Sequence, residues 1–283
     1  MTTVTAASGR SGPPNPGTRA AYRSELLKLR SLRSIVIMLA VAVALTGAFS
    51  LFESHEQSVV GVSYASGADG VGNPNQPIYA AQADPTGTLL AGYVLGAALF
   101  AAFGALAGAL EYSSGMIRIS LVSMPRRTRF FLCKAAAVAT TALAAATVCT
   151  LASFLIGESF FSGQTTDSIG LTSPGVPLHL AGAVVCLAGW AMIGFAFGTL
   201  LRSTALGVTL SFVLYIAGPA VAEYIAPDQA NGVTPTQAGQ ALWIYHNPLN
   251  PDIVPFGHGL AVFLAYVVAL LAAAFARVRY TDA

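Results

Sequence analysis

Six long apolar runs leave all fourteen Lys and Arg residues in alternate connections or at the run ends that face them, and this partition constrains the chain more than any other property of its sequence. The runs are Ile35 to Phe52, Gly87 to Leu110, Phe130 to Gly157, Leu178 to Leu201, Thr204 to Ala226 and Gly259 to Ala276. A helix needs roughly 17 to 25 apolar residues to cross a bilayer, and the third run, longer than that, must tilt or protrude. Arg10, Arg19, Arg23, Lys28, Arg30 and Arg33 precede the first run; Arg118, Arg126, Arg127, Arg129 and Lys134 lie between or at the facing ends of the second and third; Arg202 separates the fourth and fifth; Arg277 and Arg279 follow the sixth. Nine carboxylates and the four His lie at or beyond the opposite ends of the runs. Cytoplasmic connections retain Lys and Arg, so the pattern predicts an all-α polytopic membrane protein with six spans and both termini in the cytoplasm of a cell whose plasma membrane it crosses. An odd number of spans cannot produce it.

The composition agrees. Only 9% of residues are charged and the mean hydropathy is +0.66, whereas about a quarter of the residues of a soluble domain carry charge. The net charge of +2 conceals a basic face and an acidic one, which assigns the basic residues to anionic lipid and a cytoplasmic partner rather than to nucleic acid. Cys133, Cys149 and Cys186 match neither a disulfide framework nor a zinc site and read as small buried apolar residues. Residues 1–19 are rich in Gly, Pro, Ser and Thr without periodicity and are expected to form a disordered tail. An amphipathic interface helix over 20–34 follows, and residues 35–283 form the six-span domain.

Small residues four apart recur at Gly92 and Gly96, Gly104 and Gly108, and Gly194 and Gly198, a spacing that lets helix backbones approach closely in lipid. Packing within one subunit is the favoured reading over a seam between two. Pro219 removes a backbone donor inside the fifth run and predicts a kink. Arg202 and Ser203 alone join the fourth and fifth runs, a turn tight enough to force an antiparallel pair. The connection Glu53 to Thr86 reads as a polar loop. Pro227 to His258 contains Thr236 to Tyr245, a candidate short helix, and Trp243 and Tyr245, which are either headgroup-level anchors or part of an exit gate.

Motifs for chemistry fail on inspection. Lys28 and Lys134, the two lysines, follow no glycine-rich phosphate loop. His55 and Glu56 begin a metalloprotease pattern whose fifth place is Val59, so its second zinc ligand is missing. Gly61 and Ser63 begin a serine-hydrolase elbow that ends in Ala65. Carboxylates cluster near the ends of the runs rather than within them, unlike those of a proton path. The sequence thus assigns no catalytic residue, cofactor or metal to this chain.

Two segments on the basic side remain. In Ala20 to Ser34, Tyr22, Leu26 and Leu29 recur at helical spacing with Arg23, Lys28, Arg30 and Arg33 around them, as in a helix lying in the interface plane; Tyr22, Glu25, Leu26, Lys28, Leu29 and Arg30 are its candidate residues. In Glu111 to Arg127, Ile117, Leu121 and Met124 form one apolar stripe and Pro125 stops the helix. An apolar stripe on a short helix outside the bilayer calls for a partner groove.

The order of a basic amphipathic segment, two spans, Glu-Tyr-x-Ser-Gly-x-Ile-Arg (Glu111 to Arg118), Pro-Arg-Arg (Pro125 to Arg127) and Lys134 at the start of the third span resembles the type 2 ABC export permeases. Phe197 to Ser203, Phe-Gly-Thr-Leu-Leu-Arg-Ser, closing the fourth span adds to the likeness, which runs from about Glu25 onward. The resemblance implies that Glu111, Gly115, Ile117, Arg118, Leu121, Met124, Pro125, Arg126 and Arg127 couple to a separate ATPase subunit, that two ATPases serve a pair of permeases, alike or similar, and that the ATP and Mg are bound by those ATPases. A lipophilic drug, antibiotic, peptide or lipid would then be exported. The rival reading is a membrane scaffold or sensor that transports nothing and recruits a cytoplasmic partner through the same segment.

Overall fold

A computed structural model describes residues 17–65, 84–113, 127–161, 170–225, 231–245 and 252–281. All regular structure among them is helical: α1 (Thr18–Ser31), α2 (Arg33–Ala65), α3 (Pro85–Leu89), α4 (Tyr93–Ser113), α5 (Arg127–Phe161), α6 (Val176–Leu201), α7 (Thr204–Ile225), α8 (Pro235–Gln240) and α9 (Phe256–Thr281). Six of these, α2, α4, α5, α6, α7 and α9, are long and apolar enough to cross a membrane, which fits a multi-pass membrane protein. Residues 1–16 of the expected tail lie outside the described residues, and the expected interface helix begins two residues early and breaks at Leu32, whose extended backbone separates α1 from α2.

The bundle is organised around α6, which packs on α4, α5, α7 and α9. Along its most apolar stretch α6 is 83% buried and α7 only 11%, so α6 is the axis and α7 part of the rim. The close approach of α4 to α6 comes from reciprocal glycines. A Cβ on Gly104 would stand 1.7 Å from the Ala191 carbonyl oxygen and one on Gly108 2.5 Å from that of Phe195; from the other side, a Cβ on Gly194 would stand 1.9 Å from the Ala101 oxygen and one on Gly198 2.3 Å from that of Ala105. Backbone lies against backbone, which only glycine permits. A Cβ on Gly92 would stand 2.1 Å from the Thr46 carbonyl oxygen of α2, and one on Gly96 would stand 2.8 Å from the Thr46 hydroxyl. All three pairs therefore pack within one subunit. Aromatic side chains fill the space between α6 and its other neighbours: Trp190 stands edge-on to Tyr215 of α7 and tilts against Phe263 of α9, and Phe131 of α5 lies between Phe195 and Phe275.

Two connections differ from their sequence reading. The expected loop from Glu53 begins as helix, because α2 continues to Ala65, and the second span starts only at Tyr93, after the separate turn of α3 capped by Asp84. The segment expected at the membrane interface instead dips into the bundle. Ala238, Leu242 and Trp243 are buried, and Trp243 rests on Tyr93 with ring centroids 5.5 Å apart, so Trp243 is not a headgroup anchor. Tyr245 stacks on His179 and donates through its hydroxyl to the Pro174 carbonyl, while its amide donates to Asp84.

This re-entrant α8 also solves a problem that Pro219 creates. Proline lacks the amide that would bond to the carbonyl four residues earlier, and inside a bilayer a bare carbonyl finds no water. The carbonyl in question belongs to Tyr215, and it accepts a 2.8 Å hydrogen bond from the Thr236 hydroxyl of α8. Thr236→Val should destabilise the protein by about 1–3 kcal/mol, the cost of orphaning a buried acceptor, and should cost well under half of that in a Pro219→Ala background, where the helix regains its own donor. Thermal unfolding of the four proteins in one detergent measures the cycle; equal costs in the two backgrounds would contradict the assignment.

Candidate functional site

The charged residues of α1, α4 and α5 meet at the end of the bundle that carries the Lys and Arg. On α1 the inward face is Ala21, Glu25 and Leu29, at i, i+4 and i+8, rather than the expected stripe of Tyr22, Leu26 and Leu29. Leu29 joins the main core and Glu25 is 3% exposed. Tyr22 and Leu26 are half-buried, and Tyr22 shares a 2.9 Å hydrogen bond with Thr140 of α5. Arg30 is exposed, as are Arg19 and Arg23. The helix is thus clamped to the flank of the bundle by its buried face and keeps its arginines outside.

A carboxylate on the buried face requires a cation, and the fold supplies two. Lys28 donates to Glu25 at 2.6 Å and to Glu111 at 3.2 Å, and the second carboxylate oxygen of Glu111 pairs with Lys134 at 3.4 Å. Glu25, Glu111 and Lys134 are all buried. The four groups alternate in sign and sum to zero, which is the condition for tolerating charge in such a place. Burial by itself lowers the Lys28 pKa, but the hydrogen bond donated to Glu25 and the charges of Glu111 and Glu25 outweigh it, and the net shift is upward. Glu111 stands in the last turn of α4, where the helix dipole already places negative charge, so the two ammonium groups offset an unfavourable position as well as a desolvated one.

Glu111 lies in the last turn of α4 and Lys134 two turns into α5, so the network bridges the two helices that flank residues 114–126. Those residues, with Gly115, Ile117, Arg118, Leu121, Met124, Pro125 and Arg126, lie outside the described residues; Arg127, half-buried, opens α5. The neighbouring turn converges on the same place. Arg202, in the left-handed conformation at φ 53°, closes α6 and sets its guanidinium 5.4 Å from the centre of the Tyr112 ring. Two stretches that lie far apart in sequence, Glu111–Tyr112 and Phe197–Ser203, are therefore neighbours. Sequence reasoning included Glu111, Glu25 and Lys28 but not Lys134 as a site residue. The available signal was a lysine inside an apolar run with a glutamate immediately after the preceding one.

Among the described residues no group of three or more His, Cys, Asp and Glu is placed to hold a metal. The three cysteines are buried and unpaired as thiols. What the charge network offers is mechanical: it makes the positions of α1, α4 and α5 interdependent. No family model matches the chain, and no curated protein matches it either.

Removing Glu111 would leave Lys134 buried and uncompensated. Glu111→Ala should lower stability by about 3–5 kcal/mol, as breaking buried pairs does, whereas Arg30→Ala, at an exposed position outside the network, should cost no more than about 0.5 kcal/mol. Glu111→Gln combined with Lys134→Met should recover much of the loss. Unfolding midpoints of the variants in detergent check the order, and a loss at Arg30 as large as that at Glu111 would reverse the account.

Proposed function

We propose that this chain is the membrane permease subunit of an ATP-driven exporter of the type 2 ABC kind, paired with a second permease, identical or similar, and with two separate ATPase subunits. The observation that carries the reading is the charge network itself, which ties the interface helix and the two helices flanking residues 114–126 into one unit at the basic end of the six-helix bundle. The convergence of Tyr112 on Arg202 supports it, since both belong to the stretches on which the resemblance rests.

In this reading the basic end faces the cytoplasm, and residues 114–126 dock into the ATPase through Ile117, Leu121 and Met124. ATP and Mg sit in the ATPase. Closure of the two ATPases pushes on that segment; the Glu25–Lys28–Glu111–Lys134 network carries the displacement to α1, α4 and α5 together rather than to one helix. Because α4 is locked to α6 by backbone contact, the displacement reaches the bundle axis. A lipophilic drug, antibiotic, peptide or lipid is the cargo class that such an apolar subunit suits, leaving from the cytoplasm or the inner leaflet.

Energy coupling supplies the test. Truncating a central apolar anchor of an interface typically costs about 2 kcal/mol or more, and an exposed ion pair is worth at most about 1 kcal/mol. Leu121→Asp should therefore abolish co-purification of the ATPase and efflux from reconstituted vesicles, while Arg118→Ala weakens both modestly. Partner binding without any ATP-dependent efflux from the wild-type protein would favour the scaffold reading instead. Orientation is checked separately: in a variant without native cysteines, a single Cys at position 128 should resist impermeant thiol reagents in sealed cells, and single Cys at Gly70, Gln164 or Gln229 should react.

A further inference from the structure

One cleft lies on the outer flank of the basic end, distinct from the charge network. It has a volume of about 470 Å³ and is lined by Thr18, Thr128, Arg129, Leu132 and Cys133, a size within the range of small-molecule sites, roughly 300–1,000 Å³. The first turn of α1 and the first two turns of α5 form its walls, held together where the Cys133 thiol approaches the Thr18 carbonyl at 3.8 Å and where Ala21, Phe130 and Cys133 pack behind it. Arg129 and the hydroxyl-bearing Thr18 and Thr128 give the lining its polar groups, and Leu132, 57% exposed, gives it an apolar one. Arg129 and Leu132 are three residues apart on one helix face, so the leucine lies about 4.5 Å further along the spanning helix.

We infer that this cleft binds an anionic phospholipid, its phosphate at Arg129 and the two threonines and its first acyl carbons against Leu132. A soluble phosphate would use the polar groups of the cleft and gain nothing from the leucine; an amphiphile uses both. Basic pockets among spanning helices suit anionic headgroups in this manner. Occupancy would clamp the first turn of α1 to α5, on the same helix whose later turn carries Glu25 and Lys28. The inference rests on the chain spanning a membrane and not on the exporter reading, so either can fail without the other.

The full chain, purified in neutral detergent and stripped of lipid, would be titrated with short-chain phosphatidylglycerol, short-chain phosphatidylcholine and inorganic phosphate while its unfolding midpoint is followed; native mass measurement would count retained lipid. Phosphatidylglycerol should raise the midpoint and remain bound, and phosphatidylcholine and phosphate should do neither. Arg129→Gln should weaken phosphatidylglycerol tenfold or more, and Leu132→Gln, a change at an exposed position that leaves the fold intact, should weaken it as well. Arg279→Gln, at the same end but outside the cleft, should weaken it no more than about fivefold, the worth of one charge near an anionic surface. Equal losses for Arg129→Gln and Arg279→Gln would show diffuse attraction and overturn the site. A shift reproduced by inorganic phosphate alone, insensitive to Leu132→Gln, would overturn the lipid assignment.

Discussion

The contact between α4 and α6 is the constraint on which the rest of this structure depends. Lipid offers little hydrophobic driving force between helices, so close van der Waals approach has to supply it, and here the approach is set by Gly104 and Gly108 on one helix and Gly194 and Gly198 on the other. With those two backbones touching, α6 is enclosed and the remaining spans pack around the pair. The same contact fixes the end of α4, which places Glu111 beside α1 and α5 and Tyr112 beside Arg202. The site at the basic end is thus a consequence of glycines in the middle of the bundle.

At the opposite end the governing rule is that backbone polar groups in a bilayer need partners. Pro219 breaks that rule inside α7 and Thr236 repairs it from α8, which is why a polar, proline-initiated segment can lie buried among α7, α9 and the axis. The repair commits α8 to a single depth: Gly182 admits the Leu242 carbonyl, and Gly259 admits that of Ala238. A side chain at either glycine would meet backbone, so the plug and the spans around it were shaped together.

The six spans were legible from the sequence because each is a long apolar run bounded by charge or by turn residues, and the positions of Lys and Arg gave their alternation. That the glycine pairs sit at close helix contacts followed from the period-four spacing, though not which helix each would meet. Three features escaped. The helical course of Glu53 to Ala65 opens on a polar stretch that reads as loop. The descent of Trp243 into the core depends on Tyr93, far off in sequence. The pairing of Lys134 joins groups 23 residues apart through the intervening segment, with Lys28 a further 83 residues from Glu111. The last two are decided by a tertiary neighbour that local spacing does not encode.

The charge network has a property that apolar packing lacks. A buried apolar contact weakens gradually as helices separate, and the exposed groups can be covered by lipid tails; a buried carboxylate that loses its ammonium has no substitute in lipid and costs several kcal/mol. Small relative displacements of α1, α4 and α5 are for that reason penalised more steeply at Glu111 than anywhere along their apolar lengths. The exposed portion of Lys28 softens one edge of this arrangement, since water can solvate its ammonium as it swings away from Glu111 toward Glu25. Lys134, 8% exposed, has no such freedom. The pair formed by α4 and α5 is therefore the rigid part of the unit and α1 the part able to yield.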